Sequence, residues 1–352
     1  MSEQEKSIGT RKIEHLDAFT KDAEIERSGG GFADIHLTHR ALPEINYDEI
    51  DTSCIFCNKR FNFPLLIASM TGGADQETQR INKNLAIACE EHGIGFAVGS
   101  QRIAFENEAA LPSFSLREYA PNAFIAANLG AVQLNYGFGL DECLRAIEIA
   151  DANALFLHLN PLQEAVQTEG NRDFSGLITK IGEIAKELKK IGKPLILKET
   201  GCGMSHKDIE IANNYGVEMF DIAGRGGTSW SRVEYNRRKD PQDNIGIVFQ
   251  DWGIPTVQAL KHACREFPFC SFIASGGIRS GIDIVKAIIL GAEICSSAAP
   301  FLAAARVSHK AVSAKIRRWK REYQTAMFLL GCQNFNELRG NVGLILNRQE
   351  FL

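Results

Sequence analysis

Phe272-Ile273-Ala274-Ser275-Gly276-Gly277-Ile278-Arg279-Ser280-Gly281 is a short apolar run that stops at two glycines, with an amphipathic segment, Ile282 to Leu290, directly behind it. That order spells strand, tight turn, helix. Glycines let the backbone come close to a ligand, and the free N–H groups at a new helix N-terminus suit a phosphate. Further on, Ala292-Glu293-Ile294-Cys295-Ser296-Ser297-Ala298-Ala299 also ends in small residues and leads into another helix. Two successive strand ends of this kind form the phosphate site of many (β/α)8 barrels. Gly276-Gly277 alone fits an ordinary strand–helix connection equally well. The pair together points to phosphate.

Around this stretch a rhythm repeats. Apolar or β-branched runs recur at Pro64–Ala68, Gly95–Val98, Phe124–Ala127, Ala154–Leu159, Pro194–Leu197, Met219–Ala223, Ser271–Ala274 and Glu293–Ser297. Amphipathic segments separate most of them: Glu77–His92, Leu140–Ala150, Leu177–Lys190, Lys207–Tyr215, Thr256–Arg265 and Ile282–Leu290, with Glu106–Tyr119 the weakest helix signal. Parallel strands buried on both faces read as continuous rather than alternating apolar runs. Eight of them, mostly spaced by helices, predict an α/β fold with one closed (β/α)8 TIM barrel. The barrel with its C-terminal helices spans 63–352, behind an N-terminal arm and lead-in region over 1–62. That lead-in is Gly-rich and polar at Ser28-Gly29-Gly30-Gly31 and is expected to cross the barrel's base or form an arm. After the eighth run, Ala303 to Leu330 predicts a long basic helical tail, with Arg317-Arg318-x-Lys320-Arg321 on a solvated face.

Composition narrows the function classes. Hydrophobic content of 45%, charged content of 23% and a formal net charge of -4 over 352 residues are ordinary for a globular protein and argue against nucleic-acid or membrane binding. Met1 to Thr10 is polar and lacks a signal-peptide core, and no apolar run reaches membrane-spanning length. The nine scattered cysteines fit reduced thiols in a cytoplasm. Cys54-x-x-Cys57 has no second pair or histidine cluster to complete a zinc site and is structural.

In a barrel the chemistry sits at the strand ends. They read Ala68-Ser69-Met70-Thr71-Gly72-Gly73, suited to a flat ring lying on backbone; Gly99-Ser100-Gln101-Arg102; Asn128-Leu129-Gly130; His158-Leu159-Asn160-Pro161-Leu162-Gln163-Glu164; Lys198-Glu199-Thr200-Gly201; and Ala223-Gly224-Arg225-Gly226-Gly227-Thr228-Ser229-Trp230. Lys198 inside an apolar run is costly without a partner or a task. Diverse polar groups at nearly every end predict an enzyme.

These motifs, together with Arg11-Lys12-x-x-His15, Asp251-Trp252-Gly253-Ile254-Pro255-Thr256 and Ser275-Gly276-Gly277-Ile278-Arg279, resemble those of the type 2 isopentenyl diphosphate isomerases over nearly the whole chain. The glycine motifs are shared with flavin-dependent hydroxy-acid oxidases, whereas the Arg-Lys arm, Ser-Gln-Arg and Asn-x-x-Gln-Glu are more specific. The resemblance implies reversible conversion of isopentenyl diphosphate to dimethylallyl diphosphate without net redox. It implies Mg2+ and reduced FMN, primed by NADPH or another reductant, with flavin N5 as the main acid and base, and a homotetramer or homo-octamer. The resemblance assigns FMN contacts to Ala68, Ser69, Met70, Thr71, Ser100, Asn128, Lys198 and Thr228. Its phosphate end falls to Gly276, Gly277, Arg279, Ala298 and Ala299. Substrate contacts fall to Arg11, Lys12, Ser100, Gln101, Arg102 and Gln163, Mg2+ to Glu164, and catalytic roles to Lys198, Gln163 and His158. Without the resemblance, Glu164 reads as a solvated or capping acid, and His158 equally well as a core histidine bonded to backbone.

Two other classes are weighed on the same residues. A hydroxy-acid oxidase needs a histidine base near the end of the seventh strand, where this chain has Ala274-Ser275-Gly276-Gly277. A non-catalytic FMN or phosphometabolite-binding barrel has no need of a cation-binding acid beside a diphosphate-binding arginine and lysine.

Overall fold

The structure is a computed structural model and describes residues 14–19, 21–238, 240 and 242–350. A short hairpin, β1 (Cys54–Phe56) and β2 (Lys59–Phe61), precedes eight barrel strands. These are β3 (Leu65–Ile67), β4 (Gly95–Ala97), β5 (Phe124–Gly130), β6 (Ala154–Leu159), β7 (Leu195–Glu199), β8 (Met219–Asp221), β9 (Ser271–Ser275) and β10 (Ile294–Ser297). Each pairs in parallel with its neighbour, and β10 closes on β3 with Cys295 opposite Leu65. All residues of β3, β4, β5 and β7 are buried, because helices cover the outside and side chains fill the inside.

The helices follow from local chemistry. In Gln76–His92 the buried Ile81, Leu85 and Ala88 form one stripe, Asp75 caps the start by accepting from Thr78 N–H, and Gly93 ends it in the left-handed region. Leu140–Ala150 and Leu177–Lys190 carry similar one-sided stripes, and Gly281–Ile289 starts where Ser280 accepts from Asp283 N–H.

Three features depart from the sequence-based expectation. The weak second interval is a five-residue helix, Arg102–Glu106, then a 3-10 turn, Glu108–Ser113. Between β8 and β9 lie Trp230–Asn236 and Ile245–Val248 as well as the expected Thr256–Glu266. The long helical tail is two helices, Ala299–Val307 and His309–Leu330, broken at Ser308, whose hydroxyl accepts from Ala311 N–H as a new cap. It is no tail: Val312, Ile316, Trp319, Tyr323 and Met327 are buried, while Arg317, Arg318 and Arg321 lie exposed as expected.

The lead-in divides between the two ends of the barrel. Phe56 and Phe61 of the hairpin each sit 5.7 Å from the ring of Phe124, which opens β5, so the hairpin seals the base. Residues 25–31 run instead across the opposite end, where Glu26 bridges to Thr228 and Val257 N–H donates to Gly30 O at 2.9 Å. The described cysteines are all free, and burial pushes the Cys54 and Cys57 thiols up to about 12, which suits a structural role at the base.

Candidate active site

The C-terminal ends of the strands surround a cavity of about 1670 Å³ including its open mouth. Ala68, Ser69, Met70, Thr71, Ser100, Asn128, Lys198 and Thr228 all line it, as do Gly276, Gly277, Arg279, Ala298 and Ala299.

One wall is a narrow ledge. Asn82 Nδ2 donates to Thr71 O (3.0 Å) and to Ser113 O (2.8 Å), fixing the loop behind β3. The hydroxyls of Ser69 and Thr71 are buried with no hydrogen-bond partner among the described residues. Buried polar atoms normally have partners, so two such hydroxyls on a cavity wall mark a place for ligand atoms. Asn128 Nδ2 donates to Val98 O (3.1 Å), leaving its Oδ1 2.8 Å from His158 Nδ1. With the amide so oriented, His158 Nδ1–H is the donor, to a side chain rather than to backbone.

Lys198, the fourth residue of β7, places Nζ 3.0 Å from Asp221 Oδ2 at the end of β8. Asp221 also accepts from Ser275 Oγ and, at 3.2 Å, from Ser296 Oγ. Sequence reasoning missed Asp221, although an acid inside Met219–Ala223 breaks an apolar run as Lys198 does. Its neighbour Glu199 is also buried. Burial pushes its carboxyl up to about 7 against the pull of the Cys202, Gly201 and Gly203 N–H groups.

The end of the cavity expected to take the phosphate is backbone. Gly276 and Gly277 take φ of 93° and 84°, and a Cβ at Gly276 would lie 2.0 Å from Gly224 O. Thr256 Oγ1 donates to Gly276 O at 2.6 Å. Arg279 spans the loops, donating to Gly226 O and Arg27 O at 2.8 Å each and pairing with Glu26. Ala299–Val307 begins here with no side-chain cap, so its first-turn N–H groups lack one. Thr228 Oγ1 donates to Glu26 Oε1 at 2.7 Å.

The facing wall holds Arg102, Gln163 and Glu164. Arg102 Nη1 donates to Asn171 Oδ1 (3.0 Å), and Asn171 N–H donates to Glu164 Oε2 (2.6 Å). Glu164 is buried, not solvated, and also accepts from Asn160 Nδ2 (2.9 Å) and Gln167 Nε2 (2.6 Å). Asn160 Oδ1 beside it is buried without a donor among the described residues. Gln163 Nε2 donates to Glu234 Oε1 (2.7 Å), which also lies 3.1 Å from His15 Nε2. Burial alone would raise the Glu234 carboxyl, but His15, Arg237 and Gln163 hold it down at about 2. Glu234 sits on the helix the sequence did not predict, and Asn171 in a loop without periodicity, so neither gave a signal.

Gln101 departs from its expected place. It is fully buried, its Oε1 accepts from Asn128 N–H and its Nε2 donates to Ala146 O, so the side chain braces β5 instead of facing the cavity. Arg11 and Lys12 lie outside the described residues. Among the described residues no three His, Cys, Asp or Glu gather as a metal cluster, and no helix is long and apolar enough to cross a membrane.

Comparison with known proteins agrees with this geometry. The family model of the FMN-dependent dehydrogenases matches residues 148–343. The isopentenyl-diphosphate delta-isomerase of Paracoccus zeaxanthinifaciens is 52% identical over 96% of this chain and 97% of its own. Its counterpart from Archaeoglobus fulgidus is 44% identical, covering 95% of each. In fold, the flavin-binding domain of baker's yeast flavocytochrome b2 superposes with a TM-score of 0.64 at 17% identity, over 90% of this chain and 77% of that one. A mandelate oxidase variant with benzaldehyde gives 0.62 at 18%, over 94% and 93%. The chain therefore belongs to the isopentenyl-diphosphate delta-isomerase family, on the barrel of the FMN-dependent dehydrogenases.

Proposed function

We infer that this chain interconverts isopentenyl diphosphate and dimethylallyl diphosphate with FMN bound in the cavity. One observation carries the reading: a glycine-lined end and Lys198 share one cavity with a wall of Arg102, Gln163 and Glu164, the arginine and the acid joined through Asn171. A hydroxy-acid oxidase needs a histidine base, and neither Ala223-Gly224-Arg225 after β8 nor Ser275-Gly276-Gly277 after β9 supplies one.

The residues fit FMN. Ser69 and Thr71 offer unpartnered hydroxyls to the ring, and Gly276, Gly277, Ala298, Ala299 and Arg279 would hold the phosphate. Ala68, Met70, Ser100, Asn128 and Thr228 complete the binding wall. Bound and reduced, FMN supplies an electron-rich face and an exchangeable proton.

The reaction adds a proton to the terminal alkene carbon and removes one from the allylic carbon, so no electrons are consumed. Lys198 would place positive charge beside the bound ring and favour its anionic reduced form. Gln163, fixed by Glu234 and Asn160, and His158, fixed by Asn128, orient the reacting end of the substrate. Arg102, with Ser100 and the arm residues Arg11 and Lys12, would take the diphosphate by charge-assisted hydrogen bonds. Glu164 and the Asn160 carbonyl offer hard oxygen ligands to Mg2+, which takes its remaining ligands from the diphosphate and water. NADPH or another reductant would prime the flavin, in a cytoplasmic homotetramer or homo-octamer.

The test is incubation of purified protein with FMN, Mg2+ and isopentenyl diphosphate, with and without reductant. Dimethylallyl diphosphate should form only under reducing conditions. No product in either arm contradicts the isomerase function, and equal product in both contradicts the requirement for reduced flavin.

A further inference from the structure

Four inward-facing polar side chains from four consecutive strands meet in one layer beneath the cavity. Lys198 and Asp221 are register partners across β7 and β8, and Ser275 and Ser296 are partners across β9 and β10. Lys198, Ser275 and Ser296 line the cavity, whereas Asp221 is fully buried behind them and does not. Among the described residues the Asp221 carboxylate is held by this trio: Oδ2 takes Lys198 Nζ at 3.0 Å and Ser296 Oγ at 3.2 Å, and Oδ1 takes Ser275 Oγ.

We propose that Asp221 is a positioning residue that holds the Lys198 ammonium in the cavity wall where it can serve the flavin ring. A lysine carries a flexible stem and a compact charge that is readily drawn toward solvent, and this cavity is open to solvent. A buried carboxylate one strand away supplies a fixed counter-charge, and the two serine hydroxyls fix the carboxylate in turn. Ser275 Oγ also accepts from Ala223 N–H at 3.0 Å, so the layer is tied to the loop that begins at Ala223. Asp221 cannot touch a ligand itself. Its influence on a ligand passes through Lys198, Ser275 and Ser296, and only the Lys198 route depends on the lysine's charge.

The proposal rests on FMN occupying the cavity, and a double-mutant cycle separates the two claims. FMN dissociation constants are measured by fluorescence quenching for the parent, Asp221→Asn, Lys198→Met and the double variant. Asp221→Asn should weaken FMN binding about tenfold beside Lys198, the size of one charge-assisted contact, and less than about twofold beside methionine. An equal loss in both backgrounds would mean that Asp221 only supports the fold and would overturn the proposal. If Asp221→Asn fails to fold, Ser296→Ala, which removes one support of the same oxygen, is measured in the two backgrounds. A loss that depends on Lys198 supports the proposal, and one independent of Lys198 overturns it. A parent protein that does not bind FMN would instead overturn the function proposed above.

Discussion

Lys198 has a partner that changes what its removal does. Truncation leaves Asp221 buried with two hydroxyl donors and no cation, and breaking a buried pair costs on the order of 3 kcal/mol. Lys198→Ala should therefore lower the denaturant midpoint as well as cut turnover by about a hundredfold or more. Adding Asp221→Asn should restore most of the stability and none of the activity. Full activity in either variant would remove Lys198 from the mechanism. At Glu164 the prediction is narrower: Glu164→Gln should leave FMN affinity unchanged and raise the Mg2+ concentration needed for half-maximal rate. An unchanged requirement would make the acid a brace for the loop carrying Gln167 and Asn171. Among single residues, the sequence exposed those that violate a pattern, such as Lys198 in its apolar run. It did not expose Asn171 or Glu234, whose positions depend on contacts with residues far along the chain.

At the scale of elements, the strand–turn–helix at 271–289 bears the glycine turn proposed to take the phosphate, and that turn is held by backbone meeting backbone. Gly276→Ala would place Cβ 2.0 Å from Gly224 O at a φ of 93°. The strained turn should cost on the order of 2 kcal/mol and weaken FMN more than riboflavin, which lacks the phosphate. Equal weakening of both would place the phosphate elsewhere. The helical residues 14–19 are fastened by His15 to Glu234, and Glu234 gives that fastening a pH signature. Its folded pKa, near 2, lies below the ordinary 4.5, so between these values the unfolded chain binds the extra proton and stability falls as acid is added. Glu199 runs the other way. Raised from 4.5 to about 7, it stays protonated in the fold after the unfolded chain has lost its proton, so stability falls as pH rises through that window. Melting temperatures against pH should show Glu234→Gln flattening the acid limb and Glu199→Gln flattening the decline toward pH 7. Unchanged slopes would contradict these environments.

Over the whole molecule, the eight apolar runs announced the barrel because parallel strands buried on both faces leave an unbroken signal. Short helices such as Trp230–Asn236 lacked it, having less than two turns of face to display. The C-terminal helices looked like a tail because their basic residues dominate the sequence, while buried Trp319 and Tyr323 seat them on the barrel. The glycine turn at the cavity was legible in the sequence; the facing wall was legible mainly through family resemblance. Isomerisation without net redox can be read from the number of turnovers per reducing equivalent. Enzyme carrying FMN is reduced once, stoichiometrically, then sealed under argon with Mg2+ and excess isopentenyl diphosphate. Continued conversion to the isopentenyl–dimethylallyl equilibrium, many product molecules per flavin, is the predicted result. Product that stops at one per flavin, or flavin that becomes oxidised as product forms, would contradict it.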